Sequence, residues 1–170
     1  METILNLSTN QAVRYSTGAY RIPESIFNPL LFDGLIIRLR SLDPKAIPLW
    51  GKMNVLEMLS HLNMATASGL GHYQLQDEST WLRRNVICYL ALYVLRQLPR
   101  NAAAPKGFSI AAAGNLNFER EMGSLLRVLN MASCSENQSY PHPLFGNMNK
   151  ADWGRLVYRH IDHHLRQFSN

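Results

Sequence analysis

Residues 153–168 read Trp153-Gly154-Arg155-Leu156-Val157-Tyr158-Arg159-His160-Ile161-Asp162-His163-His164-Leu165-Arg166-Gln167-Phe168. At roughly 100° per residue, Arg155, Arg159, Asp162 and Arg166, joined by the preceding Asp152, gather on one side. Trp153, Val157, Ile161 and Phe168 fall on the other. The charged side is the solvated one, and the segment is an amphipathic helix. Asn149, with Asp152 three residues on, marks its start. The apolar side also carries His160 and His164, one turn apart, while His163 lies on the margin next to the charges.

Working outward, four more helices can be read. Asn28-Pro29 provides an N-cap and a proline at the first helical position. Leu31, Leu35, Ile36 and Leu39 then recur at helical spacing up to Leu42, before Asp43-Pro44 and Pro48. A second helix opens at Asn54, with Glu57 placed for a capping box. Val55, Met58, Leu59, Leu62 and Thr66 form its stripe, and Gly69 and Gly71 close it. A third, from about Thr80 to Leu98, is the most apolar and is expected to lie deepest. A fourth runs from about Asn117 to Met131. Pro99 to Gly107 reads as a linker, and Ser133 to Met148 as turns that include Pro141-His142-Pro143-Leu144-Phe145-Gly146. Strand signals are almost absent, so the fold class is all-α, a helical bundle. Residues 1–22 read as an irregular N-terminal arm with at most one short strand, and residues 23–170 as one helical domain.

Composition narrows the function classes. The 170 residues suit one domain, and 46% hydrophobic residues suit a packed core. A formal charge of +5 permits an anionic partner without requiring one. The arginines are scattered, without interleaved aromatics, which argues against a specific nucleic-acid partner. The longest apolar run, Val86 to Leu95, is too short for a bilayer, so no membrane association is expected. The first residues lack signal-peptide features, and Cys88 and Cys134 suit neither a disulfide scaffold nor a CxxC site. A cytoplasmic location is the expectation.

The histidines carry the chemistry. Imidazoles at i and i+4 share a helix side and can chelate one cation, or they can be a hydrogen-bonded core pair. His61, mid-helix in the second helix, is the natural candidate for a third ligand, although on the wheel it only borders the apolar stripe, beside Glu57, Ala65 and Ser68. His72 and His142 lie in glycine- or proline-rich turns and read as solvated first, with closure over a site as the alternative for either. Neutral imidazole suits Zn, Ni, Cu and Fe alike.

Trp50-Gly51-Lys52-Met53 followed by Met58-Leu59-Ser60-His61-Leu62 resembles the second-helix signature of the DinB-like (YfiT-like, metal-dependent) superfamily. His142-Pro143-Leu144-Phe145-Gly146 and the HxxHHxxQF ending, His160 to Phe168, resemble one branch of unknown function. The likeness covers Trp50 to Phe168, with the first helix fitting by pattern only. It implies an up-down-down-up four-helix bundle in which His61, His160 and His164 hold a divalent metal. Similar proteins include metal-dependent transferases and isomerases that use low-molecular-weight thiols, and others taken for hydrolases, many of them without an assigned reaction, so a low-molecular-weight thiol and a small-molecule substrate are implied as well. Zn or Ni is the first expectation and Fe the next.

Three histidines leave a coordination position open, as catalytic sites do, where a bound water or thiol is activated. Glu57, His163 and Gln167 are the candidate supporting residues. Asp162 is another, though it fits the charged face better. The competing reading is a non-catalytic metal-binding or ligand-binding bundle in stress response. A homodimer through an exposed apolar face is compatible with either.

Overall fold

Among the described residues, four α-helices form because their ends are capped and their apolar residues recur every three or four positions. The computed structural model describes residues 23–102, 105 and 117–170; the arm, residues 1–22, and part of the Pro99 to Gly107 linker lie outside them. Helix α1 spans Pro29–Arg40, with Asn28 Oδ1 accepting the Leu31 N–H at 3.3 Å and Phe32, Leu35 and Leu39 buried. Helix α2, Val55–Gly69, carries the full capping box. Asn54 accepts from the Glu57 N–H at 2.9 Å, and Glu57 accepts from the Asn54 N–H at 2.8 Å. Helix α3, Phe118–Ser133, buries Met122, Leu125, Val128, Leu129 and Ala132. Helix α4, Lys150–Gln167, starts at Asn149, whose Oδ1 takes the Asp152 N–H at 2.9 Å.

These helices share one core. α2 packs along α3, and α1 and α2 each touch both α3 and α4. Leu39, Met58, Leu59, Leu62, Leu125, Leu129 and Leu165 are shut off from solvent. On the outer side, Arg38 of α1 meets Asp162 of α4 at 2.7 Å, and Arg166 meets the same carboxylate at 2.8 Å. Two glycines permit close approach. Ile26 donates to the Gly154 carbonyl at 3.2 Å, and a Cβ on Gly154 would lie 2.4 Å from the Phe27 ring. A Cβ on Gly69 would lie 2.2 Å from the Trp153 indole nitrogen. Gly69 is therefore the last helical residue, fixed by packing, and Gly71, at φ +84°, is the one that turns the chain away.

The third sequence helix departs from expectation. It covers residues 81–94 and is wound mostly as π-helical turns, Arg83–Ile87 and Leu90–Val94. It ends before Leu98, where Leu95 turns extended and the Arg159 guanidinium takes the Leu92 and Leu95 carbonyls. It is also the least buried of the described helices. Only Cys88, Ala91 and Leu92 are buried, whereas Trp81 is 72% exposed and Tyr89 58%. A run apolar all round reads as deep core. Here one narrow side packs on α4 and another lines a cavity, so the apolarity serves a wall rather than a centre.

The turn-rich segment contains a small antiparallel hairpin, β1 (Tyr140–His142) with β2 (Gly146–Met148), paired Tyr140 to Met148 and His142 to Gly146. Three-residue strands with a proline at the middle of one leave little sequence signal. Tyr140 stacks on Trp153 of α4, ring centres 4.0 Å apart and nearly parallel, which seats the hairpin on that helix. Among the described residues no helix is long and apolar enough to cross a membrane.

Candidate metal centre

His61 of α2 and His160 and His164 of α4 come together where the two helices face each other. Nε2 of His160 lies 3.0 Å from Nε2 of His61 and 3.2 Å from Nε2 of His164. One nitrogen from each ring fits within 4.8 Å of the others, close enough to bind one metal ion. His61 and His164 are buried. Burial holds both well below the usual imidazole pKa, at about 4 each. His160 is depressed too, first by burial and then by the imidazoles of His164, His61, His163 and His142. At neutral pH all three rings are uncharged bases.

Protons alone serve this arrangement poorly. Nδ1 of His164 lies 2.8 Å from Gln167 Oε1, and Gln167 Nε2 donates to the Trp50 carbonyl at 2.7 Å. The amide is thereby oriented with its oxygen toward His164, so His164 carries its proton on Nδ1 and turns a lone pair inward. His160 Nε2 then faces two ring nitrogens. A proton on it must be shared between them, and without one it sets its lone pair against that of His164 at 3.2 Å. A cation at the centre converts three converging lone pairs into ligands. The donor set therefore fits a divalent metal of the imidazole-binding kind.

A cavity of about 610 Å³ opens over the three rings. The π-wound helix supplies Arg83, Ile87 and Leu90 to one wall, and Leu95, just past its end, extends it. The hairpin turn supplies His142, Leu144 and Phe145, and Trp50 and Met53 close another side. The loop bearing Trp50 is fastened to the end of α4, where the Leu49 N–H donates to the Gln167 carbonyl at 2.7 Å. Gly51, at φ +78°, lets the backbone turn beneath the Gln167 amide.

The other candidates fall in different places. His163 sits edge-on to Trp50, ring centres 5.7 Å apart, and lines the cavity. Glu57 is engaged at the start of α2 in the capping box. Asp162 is held by Arg38 and Arg166 on the outer face. Cys88 is buried, and burial pushes its thiol up to about 11, so it is an unreactive core residue. His72 is exposed, as its turn suggested. His142 is not the solvated residue expected of its turn. Nδ1 accepts the N–H groups of both Leu144 and Phe145 at 3.2 Å, the ring stacks on Phe145, and burial lowers its pKa to about 4. The HPLFG run was the available signal: Pro143 and Gly146 bend the chain back so that its own amides cap the imidazole. The Trp50 carbonyl had no signal beyond the tryptophan itself.

Residues 31–170 match the family model described as protein of unknown function (DUF1569), and the chain belongs to that family. Neither a curated protein nor a solved structure matches it.

Proposed function

We propose that this chain is a metal-dependent enzyme of the DinB-like kind, a four-helix bundle of up-down-down-up order. It acts on a small molecule by thiol-dependent transfer or by hydrolysis. The observation that carries the reading is the meeting of three neutral imidazoles, from α2 and α4, beneath a mainly apolar cavity. His61, His160 and His164 would hold the ion, zinc or nickel before iron. Such an ion, with positions left open by three ligands, supplies Lewis acidity toward a water, a thiol or a carbonyl.

The chain's own residues have distinct tasks. Gln167 fixes the His164 tautomer and is itself fixed by the Trp50 carbonyl. Ile87, Leu90, Leu95, Leu144 and Phe145 exclude water and take up the hydrocarbon part of a substrate. The low-molecular-weight thiol is the reactant the resemblance suggests for the transfer.

Metal analysis of protein purified without an affinity tag tests the site. We expect close to one divalent ion per chain, lost in the His160→Ala/His164→Ala variant. Unchanged metal content in that folded variant refutes the site. A screen of a thiol with electrophilic acceptors tests the reaction, and turnover that persists in metal-free protein counts against the mechanism.

A further inference from the structure

His142 belongs to none of the roles assigned so far, yet its geometry is unusually determined. In the hairpin, side chains alternate between faces, so Tyr140 and His142 share one and Pro141 takes the other. Tyr140 rests on Trp153 of α4, which sets the shared face toward the helix bearing His160 and His164. His142 accordingly lines the cavity above the three histidines.

Its tautomer is set by the backbone. Two amide N–H groups, of Leu144 and Phe145, both point at Nδ1 from 3.2 Å, and only an unprotonated nitrogen accepts them. A neutral ring then carries its hydrogen on Nε2. Among the described residues, no buried side-chain nitrogen or oxygen lacks a hydrogen-bond partner. Nε2 of His142 has no protein partner there, so it is an accessible donor. The stack on Phe145, centres 4.7 Å apart and 13° from parallel, holds the ring in place.

We infer that His142 is a ligand-binding residue of this cavity: its Nε2–H donates to a carbonyl or carboxylate oxygen at one end of an apolar small molecule, whose hydrocarbon body lies against Ile87, Leu90, Leu95 and Leu144. The inference rests on reading this cavity as the substrate site. It adds the substrate class, an acyl or carboxylate compound with a hydrocarbon body, and it gives the HPLFG turn a purpose. Pro143 and Gly146 shape a loop whose amides hold the tautomer, and Phe145 clamps the ring. The donor is neutral, so it discriminates by the presence of an oxygen acceptor rather than by charge.

Two measurements test it. Nitrogen-15 NMR of the histidine side chains in the wild-type chain should show His142 as the neutral tautomer with Nε2 protonated at pH 7. A proton on Nδ1, or a charged ring, overturns the inference whether or not metal is present. Butanoate and octanoate are then titrated by calorimetry into zinc-loaded and zinc-free protein. Octanoate should bind at least tenfold more tightly, since each buried methylene is worth about a fourfold gain. His142→Asn keeps an oxygen at the Nδ1 position but has nothing at Nε2. It should bind octanoate roughly 3- to 10-fold more weakly, the effect of one lost hydrogen bond, with its zinc content unchanged. His142→Gln, which places an amide N–H near the Nε2 position, should recover most of the loss. Equal affinity of the folded Asn variant, or no octanoate binding by zinc-loaded wild type, overturns the inference. A wild-type chain that takes up no zinc instead refutes the metal reading, and the NMR result and the zinc-free titration still decide the role of His142.

Discussion

Nδ1 of His164 lies 2.8 Å from Oε1 of Gln167, and this contact decides which nitrogen of His164 is free to bind a cation. The amide is not free to rotate, because its nitrogen donates to the Trp50 carbonyl at 2.7 Å. Gln167→Leu removes both bonds while keeping the buried volume. We expect metal affinity to fall by about 10- to 100-fold, as for other partners of ligating histidines. Competition against a chromogenic chelator measures this. Gln167→Glu keeps an acceptor for the imidazole N–H and should lose less. Affinity unchanged in the Leu variant would mean that the tautomer is set elsewhere.

Metal-free protein should be sensitive to mild acid. His61, His142 and His164 are depressed to about 4, and His160 is depressed as well. In the unfolded chain each returns to about 6.5. The unfolded state therefore binds more protons as pH falls, and the native state loses stability. The loss begins near pH 6.5 and runs down toward pH 4, at up to about 1.4 kcal/mol per pH unit for each imidazole involved. Above pH 7 these groups contribute no slope. Urea unfolding of metal-free protein at a series of pH values reads the slope directly. A flat profile from pH 7 to 5 would contradict neutral, buried imidazoles.

The helix ends and stripes could be read from residues because local physics fixes them. Asn28, Asn54, Asn117 and Asn149 each cap a helix within the chain's own next turn. Periodicity put His160 and His164 on the apolar side of their helix, whereas His61 only borders the stripe of α2, so its meeting with the C-terminal pair was implied by likeness to a family. The rest depended on tertiary facts. Whether the apolar run around Val86–Leu95 was core or cavity wall turned on how little of it α4 covers. The placement of the half-buried His142 turned on a three-residue hairpin held in place by Tyr140 against Trp153. Neither contact leaves a periodic trace.

Asp162 is the acidic residue nearest the histidine pair in sequence, but its partners lie on the opposite side. Arg38 and Arg166 reach it at 2.7 and 2.8 Å, with the carboxylate about one-fifth exposed. Asp162→Asn should therefore cost about 1 kcal/mol of stability by loosening α1 from α4. Metal content should not change. A variant that keeps its melting temperature but loses its ion would place Asp162 in the site after all.

The same substitution at two glycines should act with opposite signs. Both Gly34 and Gly69 are helical, so alanine at either lowers the backbone entropy of the unfolded chain and favours the helix by about 0.5–1 kcal/mol. At Gly34 the new methyl meets nothing within 4 Å, and Gly34→Ala should show the gain in full. At Gly69 it would fall 2.2 Å from Nε1 of Trp153 and 2.7 Å from Cε2. The indole cannot retreat, because it is 1% exposed and sandwiched by Tyr140 at 4.0 Å. Overpacking of this kind costs about 1–3 kcal/mol, which exceeds the entropic gain. Gly69→Ala should therefore lower the melting temperature, and by displacing Trp153 it should loosen the hairpin that carries His142. Calorimetric melts of the two variants, with histidine NMR of the second, measure both effects. A stabilised Gly69→Ala protein with an unmoved His142 would show that α2 and α4 stand further apart than the Trp153 contact requires.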